Sequence, residues 1–455
     1  MRRRLLAAAL LVVVAVTSGT PSPAVADSWQ PAVVSVHPAA ADSWQPAVVS
    51  EHPVAYTPHV LDGEVRAIAV VDRTVVVGGE FKKVADSSRR HLYARRNIFA
   101  FDLLTGAVLP FAPRVDGGVH ALATGPGGTV YAGGTFTTVN GFGQRGLARL
   151  SLNGKRVSGF RAAINYGDVR TLAVRGDNVY AGGTFTGINR IRRAGLARLD
   201  AFTGAVDPGF DAQLTALGLP DTFVTSLDLS PDGQRLVAVG AMRRVGAIYR
   251  SQIAMFDVSG PRAALTDWYT DAFIPPCAPD FQAYLRQVKF SPDGTYIVVT
   301  TSGGTSGRDK VCDAAVRFQT AGPGRHEPVW VQHTGGNSLS AVAITGVAVY
   351  LGGHQLYMDN PDGHKVKNPG EKPFYTVGPG AVERPGIGAV DPATGKTLPW
   401  NPTRARGVGV YALVVVPQGL LVGSDTDELG HEYHGRIGMF PLPGAAPFRH
   451  SASTR

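Results

Sequence analysis

Charged and aromatic side chains recur at one position of a repeated segment, and their types suit ligand binding. Arg66, His120, Arg170, Arg286 and Tyr411 each follow the first apolar residue of a short segment with alternating residues. Arginine forms paired hydrogen bonds with carboxylate and phosphate groups, and a histidine beside paired carboxylates would suit acid–base catalysis. We therefore predict that these five residues form a ligand-binding site.

Other residues able to bind metals or catalyse reactions do not match known motifs. Acidic and histidine residues cluster between Asp425 and His434 and within residues 359–364, but their spacing fits neither a helical zinc motif nor a calcium loop. The sequence contains no Gly-x-Ser-x-Gly, no phosphate-binding loop and no recognisable catalytic-cysteine motif. It therefore predicts no catalytic residues, no metal and no cofactor, and it favours a non-catalytic protein over an enzyme.

An internal repeat determines which elements carry the candidate residues. Its first strand is a six-residue alternating segment beginning at residues 65, 119, 169, 224, 285, 339 and 410. A second strand usually ends in small residues such as Gly-Gly, a third strand follows, and a short fourth strand holds a large aromatic residue in six of the copies. Glycine there lets neighbouring backbones approach and permits a bulge.

Four-stranded antiparallel units repeated radially predict an all-β fold, a seven-bladed β-propeller. The last unit lacks a fourth strand after Pro441, and the N-terminal segment offers a substitute. Residues 56–65 align with residues 111–119, with one additional residue before Asp62. We therefore expect an N-terminal strand at residues 54–60 to close the ring and remove two exposed sheet edges. The alternative is that these residues are a linker.

The predicted propeller places the five candidate residues at the mouth of a central channel. Loops between units and between second and third strands emerge on the same rim, together with the insertions 354–385 and 425–435. The net charge of +9 is carried mostly by arginine, which favours anionic partners, although a solvated surface is the alternative. The basic residues expected on this rim are Lys82, Lys83, Arg89, Arg90, Arg95, Arg96, Arg145, Arg190, Arg192, Arg193, Arg243, Arg244, Arg308 and Lys310.

The sequence contains two cysteines, Cys277 and Cys312, and both fall in irregular segments on that rim. An even number of cysteines in an exported protein favours pairing. We predict a disulfide between them; the alternative is two separate buried thiols.

The N-terminus has the features of a secretion signal. Three arginines precede the apolar run 5–16, and Ala24-Val25-Ala26 is a typical cleavage site. We therefore expect residues 1–26 to be a signal peptide and the protein to be secreted, either extracellular or associated with the cell envelope.

Three further segments complete the predicted organisation. Residues 27–54 are an Ala- and Pro-rich linker in which Asp27–Ser35 recurs as Asp42–Ser50. Each copy is either a disordered stalk or a mimic of a fourth strand in an alternative register. Residues 55–443 form the propeller, and residues 444–455 are expected to be a disordered tail.

Two segments carry a resemblance to known propellers. Residues 130–137 and 179–186 both read Val-Tyr-Ala-Gly-Gly-Thr-Phe-Thr. This pattern resembles the Gly-Gly-x-Phe (delta-60-type) repeats of secreted bacterial propellers and is similar to repeats of the fungal cortical polarity-marker propellers. The resemblance implies the propeller fold over residues 55–443. It implies no active site, because these families share no catalytic motif.

A second, distant resemblance concerns residues 389–400. They are similar to the tryptophan-docking motif of pyrroloquinoline quinone dehydrogenase propellers, with one residue too many between Lys396 and Trp400. That motif locks neighbouring blades together, so the resemblance implies packing. The adjacent cysteine pair and the calcium ligands of quinoproteins are not recognisable in the sequence.

These observations favour a secreted, monomeric binding protein whose basic rim engages an anionic envelope polymer or a protein partner. We expect no nucleic-acid partner and no transmembrane segment. The first alternative is an enzyme at the channel mouth, either a quinoprotein-like oxidoreductase or a polysaccharide lyase or hydrolase. A carboxylate pair beside His120 and Arg170 would favour the enzyme, and a uniformly basic mouth would favour binding. A structural spacer without a ligand is the second alternative.

Overall fold

Seven main β-sheets, sheets 1 to 7 in chain order, form the framework of the described chain. The computed structural model describes residues 45–444, except 220, 278–281, 305–306, 367–373, 404–406 and 408. The chain divides into two units, Met1–Val34 and Ser35–Arg455, and every described residue belongs to the second. The predicted signal peptide, the first copy of the duplication and the tail beyond residue 444 lie outside the described residues.

Within each main sheet the strands pair antiparallel in chain order, so hairpins connect neighbouring strands. Sheet 1 contains Glu64–Val71, Thr74–Glu80 and Ile98–Asp102. Sheet 2 contains Val119–Gly125, Thr129–Gly134 and Leu147–Ser151. Sheet 3 contains Val169–Arg175, Asn178–Gly183 and Leu196–Asp200. Sheets 4 and 5 contain Phe223–Leu229, Arg235–Ala241, Ile253–Asp257 and Ala264–Leu265; and Leu285–Phe290, Tyr296–Thr301, Ala314–Gln319 and Trp330–His333. Sheets 6 and 7 contain Leu339–Ile344, Val349–Gly353 and Ile387–Val390; and Val410–Val416, Gly419–Ser424 and Ile437–Pro441.

The predicted fourth strands are short. Sheets 4 and 5 have a regular fourth strand, whereas sheets 1, 2, 3 and 6 have single bridges, such as Phe101 with Val108 and Val390 with Thr397. The described residues contain no helix, and accordingly none of them forms a helix that could cross a bilayer.

Small hairpins extend from the connections between second and third strands, and in sheets 1 and 4 a short strand that precedes the first strand pairs with the hairpin. Together they form a rim on one side of the sheets. Their strands are His59–Val60, Lys83–Ala85 and Leu92–Ala94; Thr138–Val139 and Phe142–Gly143; Gly187–Ile188 and Ile191–Arg192; Leu214–Thr215, Arg244–Val245 and Ile248–Tyr249; Tyr357–Met358 and Val382–Glu383; Lys365–Val366 and Phe374–Tyr375; and Glu428–Leu429 and Glu432–Tyr433. We call this the loop rim.

Glycine explains how closely the sheets pack. A Cβ atom added at Gly78 would lie 2.6 Å from Cγ1 of Val119, the first apolar residue of the next sheet. A Cβ atom added at Gly423 of sheet 7 would likewise lie 2.6 Å from Cγ1 of Val65 in sheet 1. The first of the two small residues therefore makes room for the neighbouring sheet. Apolar clusters fill the spaces between successive sheets, and this arrangement is that of a β-propeller.

The N-terminal segment contacts the last sheet. The N–H of Ser50 donates to the carbonyl oxygen of Pro441 at 2.8 Å, and the N–H of Val54 donates to that of Met439 at 2.9 Å. His59–Val60 then pairs with Lys83–Ala85 on the loop rim. The backbone contacts with sheet 7 thus begin at Ser50, within the second copy of the duplication and before the residues 54–60 that were predicted to form a strand.

The predicted disulfide is confirmed. Cys277 and Cys312 are bonded, with their Cα atoms 5.9 Å apart and their positions 35 residues apart in the sequence. Both are buried within the apolar cluster of sheets 4 and 5.

Candidate functional site

Every first strand carries a β-bulge at the same position. In sheet 1 the pairing register passes from Val65 to Ala67 and leaves Arg66 unpaired, and the other six sheets repeat this irregularity. A bulge turns the extra residue away from the regular alternation of a strand. The seven bulge residues are Arg66, His120, Arg170, Thr225, Arg286, Ser340 and Tyr411.

These seven bulge residues line one cavity of about 690 Å³, which we call the mouth cavity. All five residues predicted from the sequence are among them, so the structure brings the whole predicted set together. Thr225 and Ser340 complete the set with hydroxyl groups. The repeat therefore supplies one side chain per sheet to a shared polar space.

Arg66 lies within a network of charges and an aromatic ring. Its Nε donates to Oε1 of Glu64 at 2.7 Å, and Oε1 of Glu80 lies 3.8 Å from the same Nε. The guanidinium lies over the ring of Tyr411, 4.9 Å from its centre. Burial, followed by the carboxylates of Glu64 and Asp425, raises the pKa of Tyr411, so its hydroxyl stays protonated.

His120 lies between two carboxylates. Its Nε2 is 2.8 Å from Oε1 of Glu80, and its Nδ1 is 3.5 Å from Oδ2 of Asp168. Arg170 lies next to one of these two carboxylates, with its Nε 3.3 Å from Oδ1 of Asp168. The structure therefore places a carboxylate pair beside His120, and one member of the pair also contacts Arg170.

Asp168 is the most buried of these acidic side chains, with 12% of its side chain exposed. Burial alone would raise its pKa, but hydrogen bonds from His120 and Thr184 and the charge of Arg170 outweigh burial. The pKa of the Asp168 carboxyl is therefore well below its usual value. Asp168 is ionised at neutral pH and compensates the cationic groups around it.

Arg286 lies on the opposite side of the mouth cavity. Its Nε donates to Oγ of Ser302 at 2.7 Å. Burial lowers its pKa, the nearby carboxylate of buried Asp313 opposes that effect, and the charge of Arg170 adds to it. Arg286 is thus also balanced by an acidic residue.

The mouth cavity is therefore charge-compensated, and the uniformly basic mouth that would have favoured anion binding there is absent. Each of the three arginines faces a carboxylate: Glu64 for Arg66, Asp168 for Arg170 and Asp313 for Arg286. Sequence analysis singled out the cations but not all of their partners. Long-range charge balance depends on which loop ends meet, and this is set by the fold.

One repeat position that contributes to the mouth was not predicted from the sequence, although the sequence pattern marks it clearly. In three sheets, the residue that follows the two small residues at the end of the second strand contacts a residue of the mouth: Glu80 contacts His120, Thr184 contacts Asp168, and Ser302 contacts Arg286. Counting one position beyond Gly-Gly in each repeat would have identified this second ring of polar residues.

Two grooves on the loop rim are strongly basic. The first, groove A, has a volume of about 660 Å³, lies between sheets 2 and 3 and contains Arg145, Arg156 and Arg161. Arg145 and Arg161 are exposed and have no salt-bridge partner among the described residues, and no acidic residue lines the groove. Arg156 lies over the ring of Phe142, 5.3 Å from its centre.

Groove B occupies the equivalent position between sheets 1 and 2. It has a volume of about 420 Å³ and contains Arg95, Arg96, Arg114 and Asp116. Burial alone would raise the pKa of Asp116, but hydrogen bonds from Thr137 and Thr138 lower it to about 2, so Asp116 is ionised. Groove B thus has three arginines against one carboxylate.

Grooves A and B share a wall. The hairpin of Thr138–Val139 and Phe142–Gly143 contributes to both grooves, and the Phe142 side chain is 61% exposed. An exposed aromatic ring flanked by two basic grooves is a surface that an extended anionic molecule could follow.

The remaining basic residues of the rim differ from one another. Arg193 is buried and donates to the carbonyl oxygen of Phe210 at 2.9 Å, so it has a structural role. Arg308 forms paired hydrogen bonds with Asp362, both at 2.7 Å. Arg89 lies over the ring of Tyr433, 4.5 Å from its centre. The rim as a whole is therefore mixed, and grooves A and B are the two places where several arginines line one cavity.

The acidic and histidine cluster near the C-terminus is spread over different environments. Glu428 and Glu432 are exposed on a hairpin of the loop rim, whereas His434 is buried, with its Nδ1 3.3 Å from Oγ1 of Thr57. Among the described residues, no group of three His, Cys, Asp or Glu side chains could hold a metal ion.

Comparison with known proteins gives a limited match. The family model described as "Domain of unknown function (DUF5122) beta-propeller" matches residues 126–156 and 177–210. These segments contain the repeats in which the sequence pattern is best preserved. No curated protein matches the chain.

Two solved structures are similar in outline. The computationally designed Ika8 protein has 13% identity, with 84% of this chain and 97% of that chain covered and a TM-score of 0.44. The WD40 β-propeller domain of Doa1 has 9% identity, with 86% of this chain and 97% of that chain covered and a TM-score of 0.48.

Proposed function

We propose that this protein is a non-catalytic binding propeller that holds an anionic polysaccharide of the cell envelope in grooves A and B. The observation that carries the proposal concerns Arg145 and Arg161 in groove A. Among the described residues neither has a salt-bridge partner, and none that lines the groove is acidic. Exposed arginines keep their full capacity for paired hydrogen bonds with carboxylate or phosphate groups. The exposed ring of Phe142 offers an apolar contact for a sugar face between the grooves.

The mouth cavity is less suited to this role. Its arginines already have carboxylate partners, so an anion would have to compete with Glu64, Glu80 and Asp168. We therefore assign the anion site to the loop rim. In the mouth cavity, Arg66, Arg170 and Arg286 belong to a polar network in which carboxylates balance their charges.

Charge reversal of Arg145 and Arg161 to glutamate should weaken binding to an acidic polysaccharide at least about 30-fold. Each lost charge-assisted contact is worth about 1.5–3 kcal/mol, and the new carboxylates add repulsion. Binding of the chain from residue 27 to polygalacturonate, a polyphosphate and neutral dextran, measured by interferometry across a salt series, tests this. The affinity of the parent protein should fall as salt rises.

A matched control carries the same change in net charge away from the grooves. Arg262 and Lys396 are exposed on turns that follow third strands, so R262E/K396E should bind as the parent does. Equal loss in both double variants would show a general charge effect and contradict the groove site. Saturable binding to a protein partner, with none to the acidic polymers, would replace the polysaccharide with a protein ligand.

An enzyme at the mouth cavity is the second candidate, because His120 lies between the carboxylates of Glu80 and Asp168. Such a set suits acid–base cleavage of an acidic polysaccharide by a lyase or hydrolase. In this case the protein should release shorter chains from polygalacturonate, and H120Q should lower the rate at least about 100-fold. No release of product by the parent protein from the polymers it binds would exclude this candidate.

The finer architecture belongs to the same proposal. Residues 55–443 would form one seven-bladed propeller of the delta-60 type, with the N-terminal segment as the outer strand of the last blade. The seven bulged sheets and the bonds of Ser50 and Val54 to sheet 7 support this. The disulfide supports secretion, since such bonds persist in oxidising compartments. We take the secreted protein to be a monomer.

A further inference from the structure

The segment from Gln45 to Val54 occupies a groove between sheets 6 and 7. The side-chain amide of Gln45 donates to the carbonyl oxygens of Val416 and Gly419 at 3.1 and 2.8 Å, and Gln45 is 4% exposed. Val49 is 3% exposed, and its N–H donates to the hydroxyl of Tyr350 at 3.0 Å. The segment is thus anchored by specific contacts at both positions. We call the groove that holds this segment the terminal groove. It is formed by Tyr350, Trp400, Val416, Gly419, Met439 and Pro441.

Backbone contacts extend this anchoring. The carbonyl oxygen of Ser50 accepts from Nε1 of Trp400 at 3.1 Å, in addition to the bond from the Ser50 N–H to Pro441. Oε1 of Glu51 accepts from the N–H of Asn401 at 2.8 Å. Because Met439 and Pro441 belong to the outermost strand of sheet 7, the segment covers backbone carbonyls that would otherwise lie at an open sheet edge.

The docked segment is one of two nearly identical copies. Residues 26–40 (copy 1) and 41–55 (copy 2) differ at two of fifteen positions, where Val36 and Ala39 stand in place of Glu51 and Val54. The two side chains that anchor copy 2, Gln45 and Val49, have the identical counterparts Gln30 and Val34 in copy 1. A groove that recognises one copy by these contacts must also recognise the other.

We propose that copy 1 can replace copy 2 in the terminal groove of the same molecule. Copy 2 is the favoured occupant for two reasons. It leads directly into Tyr56, whereas docking of copy 1 requires residues 41–55 to form a closed loop, which costs conformational entropy. Copy 1 also lacks the carboxylate of Glu51 and the larger side chain of Val54. The duplication therefore gives the propeller a spare outer strand, which fills the groove when copy 2 is displaced.

The test compares one substitution in two chains. In a chain without residues 27–41, V49D should lower the melting temperature by about 5 °C or more, because it places a charge in the buried site of Val49. In the chain that contains both copies, the same substitution should lower it by less than half as much, because copy 1 takes the groove. V34D in the two-copy chain is the matched control and should have no effect.

Hydrogen exchange identifies the occupant directly. In the parent protein the amides of residues 48–54 should be protected, and in V49D protection should move to residues 33–39. An equal loss of melting temperature in both chains, or no protection of residues 33–39, would overturn the proposal. So would dimers of V49D in light scattering, since copy 1 would then come from a second molecule. If V49D without copy 1 does not fold, V49A provides the same comparison.

Discussion

Replacing Asp168 with alanine should lower the free energy of unfolding by about 3 kcal/mol at pH 7. The carboxylate is nearly buried and accepts hydrogen bonds from Thr184 and His120, with Arg170 beside it. Its removal leaves the hydroxyl of Thr184 and the ring of His120 without this acceptor inside the mouth cavity. Urea unfolding followed by fluorescence measures the difference.

The effect of D168A should depend on pH in a defined direction. The pKa of Asp168 is lower in the folded protein than in the unfolded chain, where it is about 3.9. Its stabilisation is therefore complete above about pH 5 and is lost as the pH falls below 4 towards the folded-state pKa. The difference between parent and D168A should shrink over this range.

A milder variant separates the charge from the hydrogen bond. T184V removes one donor to Asp168 and should cost about 1 kcal/mol, while the carboxylate and its ion pair with Arg170 remain. A difference between parent and D168A that is the same at pH 7 and pH 3 would mean that lost packing, and not the carboxylate charge, causes the destabilisation.

The mouth cavity was predictable from the sequence because it follows from the repeat. Once the first strands are aligned, Arg66, His120 and Tyr411 occupy one position, and any fold that arranges the units radially brings them together. The bulge that turns them towards the cavity is permitted by the glycines of the second strand, such as Gly79 opposite Val65, where an added Cβ atom would collide with the carbonyl oxygen of Glu64. Local pattern and global fold agree at this position.

The electrostatics of the site were not predictable in the same way. Glu80 and Asp168 meet His120 from different sheets, 40 and 48 positions away in the sequence. The repeat brings these positions to the mouth, but it does not show which cation each carboxylate pairs with. Groove A likewise depends on how the hairpin of one sheet faces the turn of the next. Charge counts indicated a basic rim, but which arginines are unpaired is decided by tertiary contacts.

The N-terminal segment is an intermediate case. The alignment of residues 56–65 with 111–119 matches Val60 with Val115, and in the structure the two make equivalent contacts, since Val60 pairs with Val84 and Val115 bridges to Val139. It did not locate the start of backbone bonding to sheet 7 at Ser50, because the composition of residues 27–54 left both a disordered stalk and a fourth-strand mimic open. Here specific contacts of Gln45 and Val49 fix the position of a segment whose local sequence does not specify its secondary structure.

Loss of the disulfide should have a comparably large effect on stability. The bond joins positions 35 residues apart, and cross-linking a loop of that size stabilises a fold by about 3–4 kcal/mol, mainly by restricting the unfolded chain. Cys312 is 1% exposed and packs among Phe273, Val316 and Phe318 in the core of sheets 4 and 5. The double variant C277S/C312S should therefore unfold at a clearly lower urea concentration than the parent protein.

Two measurements distinguish the cross-link from the packing of the sulfur atoms. The parent protein unfolded with a reductant present should resemble C277S/C312S, because both lose the same constraint. C277A/C312A removes the constraint without burying hydroxyl groups, so it should be slightly more stable than the serine variant. If the alanine variant matched the oxidised parent, the disulfide would contribute nothing to stability, and its value would lie in fixing the loops that carry Cys277 and Cys312 on the rim.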